Sequence, residues 1–316
     1  MAVEDLTFRD GGTSDLPTTF ALAQQAMHDA ALRQGFAPAG RQLTDTDIRA
    51  DWVRQRSFVE WIAAQEGGCY VVAESDDELV GYGRTVQIGD MEQLTELMVA
   101  PAHQGAGLGR TLLERCWPGA PTPELGRIVV AAGAPSDLTL YTNFGVMPVA
   151  GHWHMRQRTE HYQEARSQED ETGPGVHVLK SDRAVTEWLR LERQALGTER
   201  RTLHEFFARD RTCLALLDPT SGEARALCWV SSEADIGPAV ADEPGDLMPV
   251  MLSALDRVAM TQEPEYLSVY ATTLSWWLLR RLRKLGFVVY WPSWVMCSEP
   301  LPGLDRYVPT RPPHLL

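Results

Sequence analysis

Two periods of apolar and polar positions run through this chain. A helical period near 3.6 joins Leu16, Phe20, Ala23 and Met27, with Asp15 placed to cap and Pro17 near the start. It returns from Thr44 to Ala64 through Ile48, Trp52, Val53, Val59 and Ile62, capped by Thr44 or Asp45. Shorter β-rich runs predict strands at Leu6–Arg9, Cys69–Ser75, Leu79–Val86 and Glu92–Val99, with Asp76-Asp77 as a tight turn. A helix over Gly107–Cys116 carries the apolar stripe Leu108, Leu112 and Leu113, and Pro118-Gly119 end it ahead of a proline-rich loop to Pro123. Then come a strand at Gly126–Ala132, a loop at Gly133–Ser136, a short helix at Asp137–Asn143 capped by Ser136 and stopped by Gly145, and a strand at Val149–Arg156. Residues 159–175 are polar and acidic and close on Gly-Pro-Gly, which reads as a linker.

The pattern then repeats. Val176–Lys180 reads as a strand and Ser181 or Asp182 caps a helix to Ala195; Cys213–Leu217 and Ala224–Ser232 form a hairpin like that of Cys69–Val86. Val99 to Gly145 spans 46 positions, and so does Val240 to Gly286. A shared spacing across strand, helix, strand and helix argues for duplication of one fold. The expected domains are residues 1–158 and 176–316, joined by 159–175. The expected class is α/β (α+β), each copy a mixed, mostly antiparallel sheet flanked by helices.

Composition narrows the function classes. The 316 residues carry a net charge of −14. Residues 1–172 hold 13 basic against 25 acidic side chains, a balance of −12; the remainder holds 16 against 18, a balance of −2. Such a surface repels nucleic acid and anionic membranes and attracts cations. There is no apolar run of membrane-spanning length, and the start, MAVEDLTFRD, is acidic rather than signal-like. Five scattered cysteines without a C-x-x-C pair argue against a disulfide framework or metal site and for a reducing cytoplasm.

The chemistry concentrates at 97–115, LMVAPAHQGAGLGRTLLER. Strand, glycine loop, helix is the arrangement that binds phosphate, because the first helical N–H groups lack partners and the dipole is positive there. The P-loop pattern fails, since Arg110-Thr111 follow the last glycine, and G-x-G-x-x-G fails in both registers. What fits is Q-x-x-G-x-G, Gln104-Gly105-Ala106-Gly107-Leu108-Gly109, directly after L-x-V-x-P. This is similar to the acyl-coenzyme A loop of the GCN5-related N-acetyltransferases (GNAT family). Tyr141-Thr142-Asn143-Phe144-Gly145-Val146 resembles that family's Y-x-x-x-G-F signature, with Val146 in place of Phe. The resemblance covers about residues 5–157.

The resemblance implies acetyl-CoA as co-substrate, with no metal, and transfer to an amine in a ternary complex. The backbone of Leu97, Met98 and Val99 would hold the pantetheine, and an amide near Met98 or Val99 would polarise the thioester. Amides of Gln104, Gly105, Ala106, Gly107, Leu108, Gly109 and Arg110 would take the pyrophosphate, with Ser136 as a further polar contact. Tyr141 fits the general acid. Glu96 and Glu92, expected on one face of their strand, are candidate bases through a water, with Gln93 between them. His152 and His154 read first as surface or hydrogen-bonded structural residues. Met27, His28, Phe36 and Trp52 lie on the helices that wall the acceptor site in the family, although most such residues are core.

The second half keeps the pattern without the loop. At matching offsets it offers Gly245, Asp246, Met248 and Val250, and Leu282 stands where Tyr141 does. It reads as a degenerate copy whose Trp276, Trp277, Trp291 and Trp294 serve packing; Arg280, Arg281, Arg283 and Lys284 close a helix and are a possible anion site. The expected function is N-acetylation of a small, cationic amine by a monomer or homodimer. The alternative is a non-catalytic acyl-CoA sensor.

Overall fold

The computed structural model describes residues 5–37, 42–122, 125–132, 134–169, 175–311 and 315–316; Pro123, Gly133 and positions 170–174 of the expected linker lie outside them. The chain forms two compact units, residues 1–129 with 139–146, and 130–138 with 147–316.

In the first unit, β1 (Thr7–Asp10), β2 (Tyr70–Ser75), β3 (Glu78–Ile88) and β4 (Met91–Val99) pair antiparallel in chain order. β5 (Gly126–Ala131) begins parallel to β4. Helices α1 (Leu16–Arg33) and α2 (Asp45–Ala63) cover one face, where Leu22 and Ala23 pack on Val72 and Tyr82. Thr44 caps α2 through a reciprocal pair with Asp47. Asp15 precedes α1 without capping it, because its carboxylate takes Gly12 N–H and Arg9 instead. α3 (Leu108–Cys116) covers the other face, setting Leu108 and Leu112 on Val71 and Ala73. Gly83 permits that approach, since a Cβ there would stand 2.7 Å from the Cys116 sulfur.

α4 (Pro135–Thr142) begins one residue before Ser136, so Ser136 lies in its first turn rather than capping it. β6 (Met147–Arg158) belongs to the second unit. The segment expected to be a linker continues as α5 (Thr159–Ser167). Its Tyr162 is buried and donates to Asp256 at 2.6 Å, and Arg166 pairs with the same carboxylate. A polar composition concealed one anchoring aromatic.

The second unit follows the order of the first. β7 (Val176–Leu179), α6 (Ser181–Leu196), α7 (Arg201–Phe207), β8 (Thr212–Leu217), β9 (Ala224–Val230), β10 (Ile236–Ala241), α8 (Leu247–Thr261), β11 (Tyr266–Thr272), α9 (Trp276–Lys284) and β12 (Val288–Cys297) repeat β1 to β6 with their helices. A 3₁₀ turn precedes both α3 (Pro101–His103) and α8 (Pro244–Asp246). β1–β6 and α1–α4 thus each have a counterpart in β7–β12 and α6–α9, while α5 has none. β13 (Tyr307–Val308) adds an edge, giving the antiparallel order β13-β10-β9-β8-β7. β6 lies between β11 and β12, antiparallel to both. A boundary at residue 158 thus separates β6 from the strands it pairs with. No helix among the described residues is long and apolar enough to cross a membrane.

Candidate active site

Between β4 and α3 the backbone turns on glycine. Gly105 and Gly107 have φ of 81° and 93°, values that side chains resist. Gly107 stands at the N-cap of α3, no side chain caps this end, and no acidic residue lies in its first turn. The amides of Leu108, Gly109 and Arg110 therefore open the helix without an intrahelical acceptor; the next, Thr111 N–H, reaches Gly107 O at 3.1 Å. A Cβ on Gly105 would meet nothing within 4 Å, and one on Gly109 only Val99 at 3.8 Å. Gln104 does not present its side chain to this space. Its amide donates to Val99 O at 3.0 Å and its oxygen accepts from Arg33 at 3.0 Å, tying the loop to β4 and α1.

The parallel pairing of β4 with β5 stops at Leu94–Val129. Beyond it the outer edge of β4 has no partner strand among the described residues. Ala100 N–H bonds to Val80 O, so by alternation the N–H groups of Leu97 and Val99 face the open edge. Met98, paired with Tyr82, turns its own amide toward β3. This corrects the expectation that the Met98 amide could serve the thioester.

A bulge between Arg84 and Thr85 in the β3–β4 register sets Thr95 out of the count. Glu96 lies with Arg84 and Tyr82 on the α1/α2 side, whereas Glu92 lines a cleft with Cys69 and Cys116 on the α3 side. The expectation that Glu92 and Glu96 share a face is therefore wrong: one extra residue reverses the alternation. Both Glu96 oxygens are engaged. Tyr82 donates to one at 3.2 Å; Arg84 Nε donates to the other at 2.7 Å, together with Arg84 Nη2. Burial lowers the Arg84 pKa, and the Glu96 carboxylate more than reverses this, leaving it raised. Burial raises the Glu92 carboxyl, which a hydrogen bond with Thr85 and the Arg127 charge partly offset.

Tyr141 lies buried on α4, in the part of that helix belonging to the first unit. The residues after it, Thr142 to Gly145, border a cleft with Arg110, Glu114 and Trp117 of α3. Gly145 has a φ of 79°, and a Cβ there would stand 2.9 Å from Pro121. The first unit thus gathers Glu96, Leu97–Val99, Gln104–Arg110 and Tyr141, while Ser136 falls in the second.

Residues 66–145 match the family described as acetyltransferase (GNAT) domain. The match to a GNAT domain thus covers the span from the residues before β2 to Gly145. The chain is also similar in fold to a Pyrococcus horikoshii protein described as an acetyltransferase, at TM-score 0.66 and 15% identity over 96% of this chain and 93% of that one. A GCN5-related N-acetyltransferase from Sphaerobacter thermophilus gives 0.59 and 17% over 96% and 99%. A tandem GNAT protein from the clavulanic acid biosynthesis pathway gives 0.54 and 13% over 93% and 99%. No curated protein sequence matches the chain.

The corresponding turn of the second GNAT-like copy is built differently. α8 starts at Leu247, seven residues after Val240, whereas α3 starts nine after Val99. Met248 and Val250 are therefore helical, not loop residues, and offset matching is corrected by a two-residue shortening. Asp246 occupies the N-cap with a right-handed backbone, and its carboxylate pairs with Arg225 at 2.7 Å. The expected anion site on α9 is met from within, since Glu169 bonds Arg281 and lies 3.8 Å from Lys284. Trp276, Trp277 and Trp294 are exposed rather than packed; Trp291 is half-buried and donates to Ala132 O at 3.2 Å.

His152 and His154 are buried, bonding one hydroxyl, Ser293 Oγ, at 3.0 and 3.1 Å. Burial holds His152 down at about 3 and His154 well below its ordinary value, with the neighbouring charges adding to the effect on His154. Trp52 packs on Phe20 inside the α1/α2 core; Met27 is exposed, and His28 and Phe36 are half-buried. Arg84, which pairs with Glu96, and Tyr70, whose ring lies under the Arg84 guanidinium, escaped sequence reasoning, because neither belongs to a motif.

Proposed function

We propose that the first-half GNAT domain transfers an acetyl group from acetyl-CoA to a primary amine of a small, cationic metabolite, directly, within a ternary complex. The uncapped amides behind Gly105 and Gly107 carry this reading. They offer positive dipole and free donors to a pyrophosphate, over glycines that leave the approach open. Pantetheine pairs along the open edge of β4, and the Val99 or Leu97 amide polarises the thioester carbonyl. The amine nitrogen attacks, its C–N bond forms as the C–S bond breaks, and Tyr141 gives its proton to the leaving thiolate. The amine's own proton leaves through water. Glu96 could accept it only by uncoupling a buried guanidinium, so its role is to fix Arg84 and Tyr82 beside the acceptor. The acidic balance of residues 1–172 favours a cationic acceptor. The second half, with Asp246 at its helix cap, is read as having lost this chemistry.

A thiol-release assay with acetyl-CoA and an amine panel tests the reading. Expected is saturable release, reduced about 10²-fold or more by Tyr141→Phe. The engaged oxygens of Glu96 favour one other reading, an acyl-CoA sensor without turnover. Tight calorimetric binding with no release on any amine would establish that alternative; absence of binding would remove both.

A further inference from the structure

On the α3 side of the sheet, away from Glu96, a cleft is lined by Cys69, Cys116, Glu92, Gly67, Gly68 and Thr122. Cys69 leads into β2 and is half-buried; Cys116 is the last residue of α3 and is buried. Both thiols line this one cleft, close enough for each to perturb the other's ionisation. Cys69 also lies 3.8 Å from Arg115 O. The Cys116 sulfur occupies space that only a glycine at position 83 leaves open. None of the acyl-transfer steps above uses either thiol.

We propose that Cys69 and Cys116 form a dithiol modification site that reduces a small hydroperoxide and closes to a disulfide. The pair is asymmetric in the required sense. The interaction with Cys116 holds the Cys69 thiol below its ordinary range against burial, and the same interaction, with burial, pushes Cys116 up. Cys69 is thus the nucleophile and Cys116 the resolving thiol. The Cys69 thiol gives up its proton and its thiolate attacks the terminal peroxide oxygen; the O–O bond breaks and the departing alkoxide, or hydroxide from hydrogen peroxide, takes that proton and leaves as alcohol or water. Cys116 sulfur then attacks the Cys69 sulfenic sulfur. The S–S bond forms, the S–O bond breaks, and the second oxygen leaves as water with the Cys116 proton. Two electrons pass from the sulfurs to the peroxide. Cys213, Cys228 and Cys297 are buried, and burial raises each above its ordinary range, so they stay reduced.

The test is hydrogen peroxide on the whole native protein, followed by alkylation, peptide mapping and mass spectrometry. Expected is the loss of two alkylatable thiols, one Cys69–Cys116 crosslinked peptide pair, and full recovery on reduction. In Cys116→Ser, dimedone should trap a sulfenic acid at Cys69. Phenylarsine oxide, which needs two adjacent thiols, should bind the unmutated protein one to one and block the crosslink, keeping the test decisive if the variant fails to fold. Sulfinic acid at Cys69 with Cys116 still alkylatable, or a crosslink to any other cysteine, would overturn the proposal.

Discussion

Glu96 and Arg84 form a pair that water does not reach, with side chains 4% and 2% exposed. Removing one partner leaves the other charge buried, and such losses cost about 3–5 kcal/mol. Glu96→Ala is therefore expected to lower unfolding stability by about that amount in denaturant titration, whereas Glu96→Leu with Arg84→Met should recover most of it. A single variant as stable as the parent would disprove the burial argument. The same residue shows where sequence reasoning stops. Alternation from Glu92 counts to Glu96 on one face, and nothing about Thr95, an ordinary strand residue, announces that it is skipped. Buried His152 makes a second prediction. Its folded pKa of about 3 lies below the ordinary 6.5, so below 6.5 the unfolded chain binds the extra proton and stability falls toward pH 3. Glu192 adds its own loss only below 4.5: burial raises its pKa, but Arg200 and His204 more than reverse this and hold it at about 2. Melting temperature should thus decline between pH 6.5 and 4.5, and the slope should flatten in His152→Asn.

The start of α3 is the element on which the acyl-CoA reading turns, and its glycines were readable because left-handed backbone demands them. A non-glycine residue in that region costs about 1–2 kcal/mol. Gly107→Ala should reduce stability by about that amount and weaken acetyl-CoA binding in calorimetry at least tenfold, since the first-turn amides lose their aim. Gly109→Ala, at a helical position with its nearest contact at 3.8 Å, should leave stability within about 0.5 kcal/mol yet still obstruct the cofactor, separating folding from binding. Acetyl-CoA affinity unchanged from the parent in both variants would disconnect this turn from the ligand. By contrast, α5 and α7 gave little periodic signal: α5 buries only Thr159 and Tyr162, and α7 spans seven residues.

At the scale of the molecule, the duplication was legible in spacing because each copy keeps its strands, turns and stop glycines in order; Gly145 and Gly286 both take positive φ. Strand neighbours were not legible, since pairing partners distant in sequence leave no periodic trace. β6 is central: Met147, Pro148 and residues 150 to 156 pair with β12, and 152 to 158 pair with β11. Both partners come from the second half, and Met155, His152 and His154 on β6 are buried among them. A fragment of residues 1–158 therefore carries a long strand with two unpaired edges and an apolar face, the arrangement that aggregates. It should form insoluble or associated material by size-exclusion chromatography, and co-expression with residues 159–316 should restore a soluble complex by supplying β11 and β12. A monodisperse, cooperatively unfolding 1–158 would show that β6 does not need those strands, and that each half folds as its own domain.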